Sequence, residues 1–333
     1  MDKKKIKNWG TENAIYLVLI ALLVFIVMKE PTFLSVRNLT NILTQSSVRV
    51  IIALGVAGLI VTQGTDLSAG RQVGMAALIS ASLLQATNAT TKVFPNIGEM
   101  PLMVVLLLVI IIGAIVGLLN GIVIAIFHVT PFIATLGSMI IVYGANSLYF
   151  DVIGASPVAS FDPRFSKFTQ GVFRISGYRF SYLIIYATIA TIITWVLWNK
   201  TKFGKNIFAI GGNPEAAAVS GVNVRNNLLK VYILSGVFYA VGGFLEAGRI
   251  GSATNNIGFM YELDAIAACV VGGVSFSGGV GKISGVVTGV IIFTVINYGL
   301  TYIGISPYWQ YIIKGLIIII AVGLDTRKYL KKK

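Results

Sequence analysis

Long apolar runs joined by short polar connections fill most of the chain. Residues 100–150 contain no Asp, Glu, Lys or Arg. At ~1.5 Å of rise per residue, one helix over this stretch would be more than twice as long as the ~30 Å apolar core of a bilayer. The stretch therefore predicts two spans with a break at 128–131. The whole pattern predicts spans at residues 13–28, 47–63, 72–87, 101–127, 131–150, 181–199, 230–250, 262–274, 282–303 and 308–325.

This pattern predicts an all-α protein, a polytopic transmembrane helical bundle of about 10 spans that forms a single domain over residues 1–333. A transmembrane β-barrel is excluded because its strands alternate apolar and polar residues. Hydrophobic residues make up 56% of the chain and charged residues 11%, whereas about a quarter of residues are charged in soluble proteins. The predicted span at 262–274 is short enough to be a re-entrant segment.

The net charge of +14 is concentrated at both ends of the chain and in one polar loop. Lysines precede the first span at 3–7, and basic residues follow the last span at 327–333. The loop at 199–230 adds five basic residues against the single acidic Glu215. Cytoplasmic flanks of spans carry such an excess, so both termini and this loop are expected in the cytoplasm, and the charge does not indicate nucleic acid. The connection at 151–180 is also basic, but the span count makes it a partly ordered external loop.

A short helix with both of its ends marked is predicted inside the loop at 199–230. Asn213 can cap the first free backbone N–H groups, and Pro214 suits the first helical position, where no N–H is needed. Glu215 lies at the positive end of the helix dipole, and Gly221 supplies a left-handed exit. A small exposed helix between spans is suited to contact a soluble partner. The residues assigned to this contact are Gly212, Asn213, Pro214, Glu215, Ala216, Ala217, Ala218, Ser220 and Gly221.

Two charges, Asp66 and Arg71, interrupt an apolar region. A charge inside a membrane costs ~2.5–3.5 kcal/mol on insertion scales, so it tends to face protein or a water-filled cavity. Two interpretations stay open: a broken helix that lines a pathway, or an Asp66–Arg71 pair that closes a tight turn. Intramembrane asparagines leave a similar choice between joining helices and binding a polar solute. The candidate pathway residues are Asp66, Ser68, Gly70, Arg71, Asn120, Pro131, Asn146, Ser277, Gly278, Gly279 and Asn297.

A weak internal repeat relates residues 63–70 to residues 272–279, and each copy is followed by an asparagine and then by a proline–aromatic pair. Transporters often duplicate one half and place the pathway between the halves. The span count runs both copies in the same direction, whereas an inverted repeat would oppose them, so the orientation stays open. Glycines that recur every fourth residue at 113–121 and 281–289 predict close helix packing.

Most enzyme mechanisms need residues that this chain lacks. One His and one Cys exclude a His/Cys metal cluster, so no metal site is predicted. The nearest candidate for a nucleotide-binding P-loop, at Gly281-Lys282, lacks both the first Gly and the Ser or Thr. The chain is therefore expected to have no ATPase activity, and ATP hydrolysis, if it drives transport, must come from another polypeptide.

An ion-coupled secondary transporter is the alternative from a different mechanistic class. Its coupling carboxylate would come from Asp66, Glu246, Glu262 or Asp264. Such a transporter would work alone and would need no exposed docking helix. Glu246 and Arg249 are one helical turn apart and are expected to form an exposed pair.

The segment GKNIFAIGGNPEAAAVSGVNV, followed by LLKVYILSGVFYAVGG, resembles the cytoplasmic coupling region of bacterial ABC-importer permeases of the ribose/galactose/xylose type. The resemblance extends over essentially the whole chain. The DLSAG and GGVSFSGGVG motifs are similar to patterns found across this family, whereas TDLSAGRQVG and ATNNIGFMYELDA resemble its galactose branch.

The resemblance implies a permease subunit in the bacterial inner membrane, in contact with lipid, that works as a homodimer. It implies two cytoplasmic ABC ATPase subunits, which would bind ATP and Mg, and a periplasmic galactose-binding protein; no cofactor is implied for this chain. Glu215 and Ala216-Ala217 match the coupling element that would dock on the ATPase. The expected substrates are galactose, glucose and methyl galactosides, with ribose, xylose or a nucleoside as the alternative.

Overall fold

The computed structural model describes residues 14–330, which form a bundle of α-helices with one small β-hairpin. The lysines at 3–7 and 331–333, which support part of the predicted orientation, lie outside the described residues. The helices are α1 (Ala14–Lys29), α2 (Val36–Val61), α3 (Ala69–Leu83), α4 (Leu102–Ala125), α5 (Pro131–Val152), α6 (Pro163–Gln170), α7 (Tyr182–Lys200), α8 (Lys202–Gly212), α9 (Pro214–Val219), α10 (Val224–Ile250), α11 (Tyr261–Val271), α12 (Ile283–Tyr302) and α13 (Pro307–Leu330). The strands are β1 (Val172–Ile175) and β2 (Tyr178–Ser181).

A helix lies at each of the ten predicted spans, so the predicted helical bundle is confirmed. Six of them, namely α2, α4, α5, α7, α10 and α12, are long and apolar enough to cross a membrane. By contrast, α3 has 15 residues and α11 has 11. These lengths correspond to about 22 Å and about 16 Å of helix, less than the ~30 Å apolar core. The helix at 72–87 thus begins three residues and ends four residues earlier than predicted, and 262–274 is a short helix followed by a glycine-rich loop, as expected for a re-entrant segment.

The first half of α2 contains many polar residues and is not predicted as part of a span, yet it is helical. The helix begins at Val36, well before the predicted start at 47. Its hydroxyl side chains donate hydrogen bonds to carbonyls of the same helix, as Thr44 Oγ1 does to Thr40 O at 2.8 Å. Because the hydroxyls of Thr40, Thr44 and Ser47 are satisfied by carbonyls of the same helix, the helix extends beyond its apolar part.

The two most buried of the long helices, α2 and α10, form the centre of the bundle. In α2, 83% of the most apolar window is buried, whereas α4, α5 and α7 bury only 17–22% of theirs. These outer helices expose large aliphatic side chains, such as Leu107, Ile141 and Ile192. We infer that α4, α5 and α7 face lipid or a second protein chain, because a large apolar surface is not stable in water.

Glycines let the outer helix α4 contact α10 backbone to backbone. A Cβ atom at Gly113 would lie 2.4 Å from the carbonyl oxygen of Gly236, and one at Gly117 would lie 2.2 Å from that of Tyr232. Such distances are too short for a side chain. The close packing that the four-residue glycine spacing predicts is therefore confirmed for α4.

The connection from α5 to α7 is ordered. It contains α6 and the β1–β2 hairpin, in which Phe173 pairs with Phe180 and their rings stack at 5.7 Å. Ser176 and Gly177 both have positive φ values, 50° and 85°, as a two-residue hairpin turn requires. The hairpin adds a small sheet to the all-α prediction. We call this side of the bundle the hairpin end; α7, about 28 Å long, leads from it to the opposite side, the α9 end.

The two segments of the weak repeat meet at the α9 end. Gln63 Nε2 donates a hydrogen bond of 3.1 Å to Ser277 O. The two segments therefore lie side by side at the same end of the bundle, as the span count, which runs both copies in the same direction, predicts.

Replacing Gly236 by Ala is expected to loosen the contact between α4 and α10. The added Cβ would lie 2.0 Å from Gly113 O, and overpacking of this kind typically costs ~1–3 kcal/mol. Thermal unfolding of the purified protein in detergent measures the effect. Gly137→Ala is the control, because no atom lies within 4 Å of a Cβ there. Equal unfolding temperatures for the two variants would show that this contact does not hold the helices together.

Candidate functional site: an exposed capped helix and a buried polar cluster

The short helix predicted at 213–221 is present as α9, with the predicted caps. Asn213 Oδ1 accepts a hydrogen bond of 2.9 Å from Ala216 N, and Pro214 occupies the first turn. At the other end Gly221 has a φ of 84°. The N–H of Gly221 donates to Ala218 O and that of Val222 to Ala217 O. This pair of bonds is the Schellman motif, so both ends of a very short helix are fixed by hydrogen bonds.

Almost all of α9 is exposed. Its most buried side chain is Ala217, at 4% exposure, whereas Val219 is 91% exposed and Glu215 is also on the surface. The basic residues of the surrounding loop are exposed as well, namely Lys200, Lys202, Lys205, Arg225 and Lys230. An exposed valine next to small alanines, within a basic border, is a surface suited to contact another protein.

The base of α9 is joined to the rest of the bundle by backbone contacts. Gly211, just before α9, is packed so closely that a Cβ atom would lie 1.8 Å from Val61 O and 2.4 Å from Gly279 N. Gly279 N also donates a hydrogen bond of 2.8 Å to Val61 O. Gln63 Nε2 adds a bond of 2.8 Å to Gly211 O. Gly279, a predicted pathway residue, thus lies at the base of α9. Gln63 is not among the predicted site residues, because a lone glutamine after a span carries no recognisable signal.

A buried polar cluster lies where α3 begins. Asp66 is fully buried, and its Oδ1 accepts hydrogen bonds from Ser68 N at 2.8 Å and from Ser68 Oγ at 2.5 Å. Ser68 Oγ in turn accepts bonds from Gln72 Nε2 at 2.9 Å and Asn120 Nδ2 at 3.1 Å. The structure thus brings three predicted residues together, Asp66, Ser68 and Asn120, and joins the start of α3 to α4.

Arg71 does not pair with Asp66, so the interpretation of these residues as an ion pair that closes a turn is wrong. The Arg71 guanidinium lies over the rings of Tyr143, at 4.2 Å, and Phe259, at 5.3 Å. Within residues 14–330, Arg71 takes part in no ion pair, and its buried Nη1 has no hydrogen-bond partner. Both rings are about two-fifths exposed. The charge is therefore close to a surface that the described chain leaves open.

Other predicted residues connect this region to neighbouring elements. Gly70 contacts Glu262 of α11, since a Cβ atom at Gly70 would lie 2.1 Å from Glu262 Oε2. Asn146 Nδ2 donates to Asn255 O at 3.2 Å. Pro131 begins α5, and its carbonyl accepts a bond of 2.8 Å from the hydroxyl of Thr135. Of these contacts, the one between Gly70 and Glu262 joins α3 to α11, and that of Asn146 joins α5 to the loop before α11.

Asn297 lies away from the Asp66 cluster. The next residue on α12, Tyr298, donates its hydroxyl to Asn38 Oδ1 near the start of α2. Asp66 follows the other end of α2, a helix of 26 residues or about 39 Å. Two of the predicted pathway residues therefore lie near opposite ends of the bundle.

The expected Glu246–Arg249 pair is present, but its carboxylate is buried instead of exposed. A second buried ionic group lies at Asp264. Glu246 is only 2% exposed; it binds Arg249 Nε at 2.7 Å and accepts the Tyr261 hydroxyl at 2.5 Å. Asp264 binds Arg49 and Lys314, each at 2.8 Å. Sequence spacing missed this second group because its three members come from α11, α2 and α13.

Replacing Ser68 by Ala is expected to lower the free energy of unfolding by ~1–3 kcal/mol, because it leaves buried polar partners unsatisfied. Ser80→Ala is a matched control on α3, since the buried Ser80 hydroxyl bonds only to Ala76 O of its own helix. Unfolding of both purified variants in detergent measures the difference. A loss for Ser68→Ala no larger than that for Ser80→Ala would contradict a stabilising role of the cluster.

Comparison with known proteins identifies the family. Residues 38–322 match the family described as branched-chain amino acid transport system / permease component. The galactose/methyl galactoside import permease protein MglC of Salmonella typhimurium is 69% identical, over 100% of this chain and 99% of the relative, and that of Haemophilus influenzae is 66% identical over the same shares. The ribose import permease protein RbsC of Escherichia coli is 34% identical over 97% of this chain and 96% of the relative. No solved structure gives a significant match. The chain therefore belongs to the branched-chain amino acid transport system / permease component family.

Proposed function

We propose that this chain is the membrane-spanning permease subunit of a binding-protein-dependent ABC importer for galactose, glucose and methyl galactosides. The observation that carries the proposal is the identity of 66–69% over the whole chain with relatives named for galactose and methyl galactoside import. The ribose-named relative, at 34%, fits a more distant branch on the same scaffold. Residues 1–333 form one permease domain, and residues 199–230 form its coupling loop.

A separate ATPase supplies the energy for transport. This chain is a transport subunit, and its sequence holds no complete P-loop. ATP and Mg²⁺ bind the ATPase, and α9 is the element that docks there. A helix of six residues is too short to be stable through its own backbone bonds. Its two caps hold it in shape, which lets it transmit force as a rigid contact.

The orientation follows from charge. The five exposed basic residues around α9 support an orientation in which the α9 end faces the cytoplasm of a bacterial inner membrane. Both termini then lie on the cytoplasmic side as well. The hairpin end, with α6 and the β1–β2 hairpin, faces the periplasm, where a galactose-binding protein would deliver the sugar.

The translocation pathway borders the face on which Arg71 lies beneath Tyr143 and Phe259. A guanidinium without an ion pair is too costly to place against lipid chains. This face therefore borders a water-filled path, which a homodimer of the chain would enclose between its two copies. The partly exposed rings and the guanidinium N–H groups suit a neutral sugar, which offers both C–H surfaces and hydroxyls. Asp66, Ser68 and Asn120 are buried, so they support this face from behind.

The description of the family gives a second candidate substrate class, branched-chain amino acids. Import of a zwitterionic amino acid would require charged groups of both signs at the pathway. Arg71 supplies a cation, and Glu262 supplies a carboxylate next to it, in contact with Gly70. The overall identity favours the sugars, and transport measurements decide between the two classes.

An ion-coupled transporter fits less well, because two of its four candidate carboxylates are already paired with cations. Glu246 is held by Arg249, and Asp264 by Arg49 and Lys314. A carboxylate that is already bound to a cation of the protein is not free to bind a coupling ion. Only Asp66 and Glu262 remain for that mechanism.

Uptake into proteoliposomes tests the function. The chain, its ATPase and a galactose-binding protein are expected to take up labelled galactose and methyl galactoside only with ATP. Uptake of ribose and leucine is expected to be at least about tenfold slower, which corresponds to ligands bound ~1.4 kcal/mol more weakly. The control is the chain alone under a proton gradient, which is expected to show no accumulation. Accumulation by the chain alone would contradict the assignment, and preferential uptake of leucine would assign the amino acid instead.

Replacing Val219 by Asp is expected to prevent the ATPase from docking, because a charge at the centre of an apolar contact must be desolvated without a partner. Retention of the ATPase by the tagged permease during purification measures docking. Val152→Asp is the matched control: this valine is 85% exposed, against 91% for Val219, and ends α5 on the other side of the bundle. Equal retention by the two variants would exclude α9 as the docking element.

A further inference from the structure

We infer that Gln63 is a positioning residue that links α9 to the two short helices, α3 and α11, so that loss of its side chain uncouples ATP hydrolysis from transport. The inference rests on the proposed function, since it takes α9 as the element that the ATPase moves. It concerns a residue that lies outside both sets of predicted site residues.

The backbone of Gln63 is unusual for a residue with a side chain. α2 ends in a Schellman motif, in which Gly64 N donates to Leu59 O at 2.8 Å and Gln63 N to Ile60 O at 3.0 Å. In this motif the residue after the C-cap has a left-handed backbone conformation and is usually glycine. Gln63 holds this position with a φ of 61°. A residue other than glycine in this backbone conformation costs free energy, so the contacts of the Gln63 side chain indicate the role of this residue.

The Gln63 side chain joins three segments. Its Nε2 donates to Gly211 O at 2.8 Å and to Ser277 O at 3.1 Å, so both amide protons are used. Gly211 precedes α9, and Ser277 lies in the loop between α11 and α12. Beside it, Gly279 N donates to Val61 O at 2.8 Å. We call this group of five residues, Val61, Gln63, Gly211, Ser277 and Gly279, the Gln63 joint.

The Gln63 joint lies next to the start of α3 and the end of α11. These are the ends of the two short helices that are nearest to α9. On one side the chain runs from Gln63 through Asp66 to the start of α3. On the other side the loop that contains Ser277 follows the end of α11. The two short helices touch where Gly70 meets Glu262. A displacement of α9 is therefore delivered to both helices and to Arg71, which follows Gly70.

The two short helices are packed closely against long spans, so a displacement of α9 would slide or tilt them by a small amount at the adjoining glycine turns. Gly278 and Gly279, inside the loop, have positive φ values of 77° and 67°. Hinges of this kind absorb backbone rotation in a few residues. The Gln63 side chain is itself exposed at the α9 end, so it is also within reach of a docked ATPase, and the test must separate a link inside the permease from a docking contact.

Two substitutions of Gln63 provide the test in the reconstituted importer. Gln63→Gly keeps the left-handed turn and removes the side chain; Gln63→Glu keeps the shape and removes both donors. We expect the galactose imported per ATP hydrolysed to fall about fivefold or more in both variants, while ATPase retention stays within about twofold of the original chain. The unfolding temperature of Gln63→Gly is expected to stay equal or rise, because glycine fits this turn. If Gln63 only stabilised the fold, the lower ratio would be accompanied by a lower unfolding temperature.

Gln85 offers a matched control. Its Nε2 likewise donates to two carbonyls, Thr91 O at 3.2 Å and Ala159 O at 3.0 Å, but on the hairpin side of the bundle. Gln85→Glu is expected to leave the galactose-to-ATP ratio unchanged. A normal ratio in Gln63→Gly would overturn the inference, and so would a loss of ATPase retention, which would make Gln63 a docking contact.

Hydrogen exchange on the isolated permease tests the joint without any substrate. In Gln63→Gly the amides of 211–221 and 275–281 are expected to exchange faster than in the original chain, since two bonds that hold these segments are lost. Unchanged exchange in both segments would overturn the inference. If the importer transports a substrate other than galactose, the proposed sugar specificity fails, while the ratio measured with that substrate still tests Gln63.

Discussion

Backbone-to-backbone contact at glycines is the constraint on which this structure depends. Lipid is as apolar as the helix surfaces, so burial of apolar side chains gives little force to hold helices together, and close van der Waals packing must supply it. Gly243 of α10 lies so close to α3 that a Cβ atom would be 2.2 Å from Val73 O, and a Cβ atom at Gly289 of α12 would be 2.0 Å from Ala268 O of α11. These contacts fix the two short helices against long ones.

The second constraint is the cost of charge in a membrane. Two of the buried carboxylates are paired with cations: Asp264 binds both Arg49 and Lys314, and Glu246 binds Arg249. Arg71 differs, since its contacts within the described residues are aromatic rings. Arg49, Arg249 and Lys314 are paired with carboxylates, whereas this arginine lies at an open face, and the position of the proposed pathway follows from that contrast among the cations.

Local features of the fold and of the site could be predicted from sequence, because their causes lie within a few residues. The span positions follow from apolar runs. The ends of α9 follow from Asn213 and Gly221, whose cap bonds join atoms at most five residues apart. The features that sequence missed depend on distant partners: Glu246 looked exposed because its helical neighbour is charged, yet it is buried beside Tyr261, whose hydroxyl donates to it from another helix.

By itself, the sequence determined that the protein is a helical membrane bundle, where most of its spans lie and which short helix is displayed between them, since hydropathy and capping act along the chain. Tertiary structure decided that α3 and α11 stop short of a full crossing, that Asp66 and Arg71 have separate partners, and that Gln63 ties three segments together. The reason is physical: these outcomes depend on contacts between helices, such as that of Gln63 with Ser277, 214 residues later. Spacing along one segment carries no information about a partner that distant.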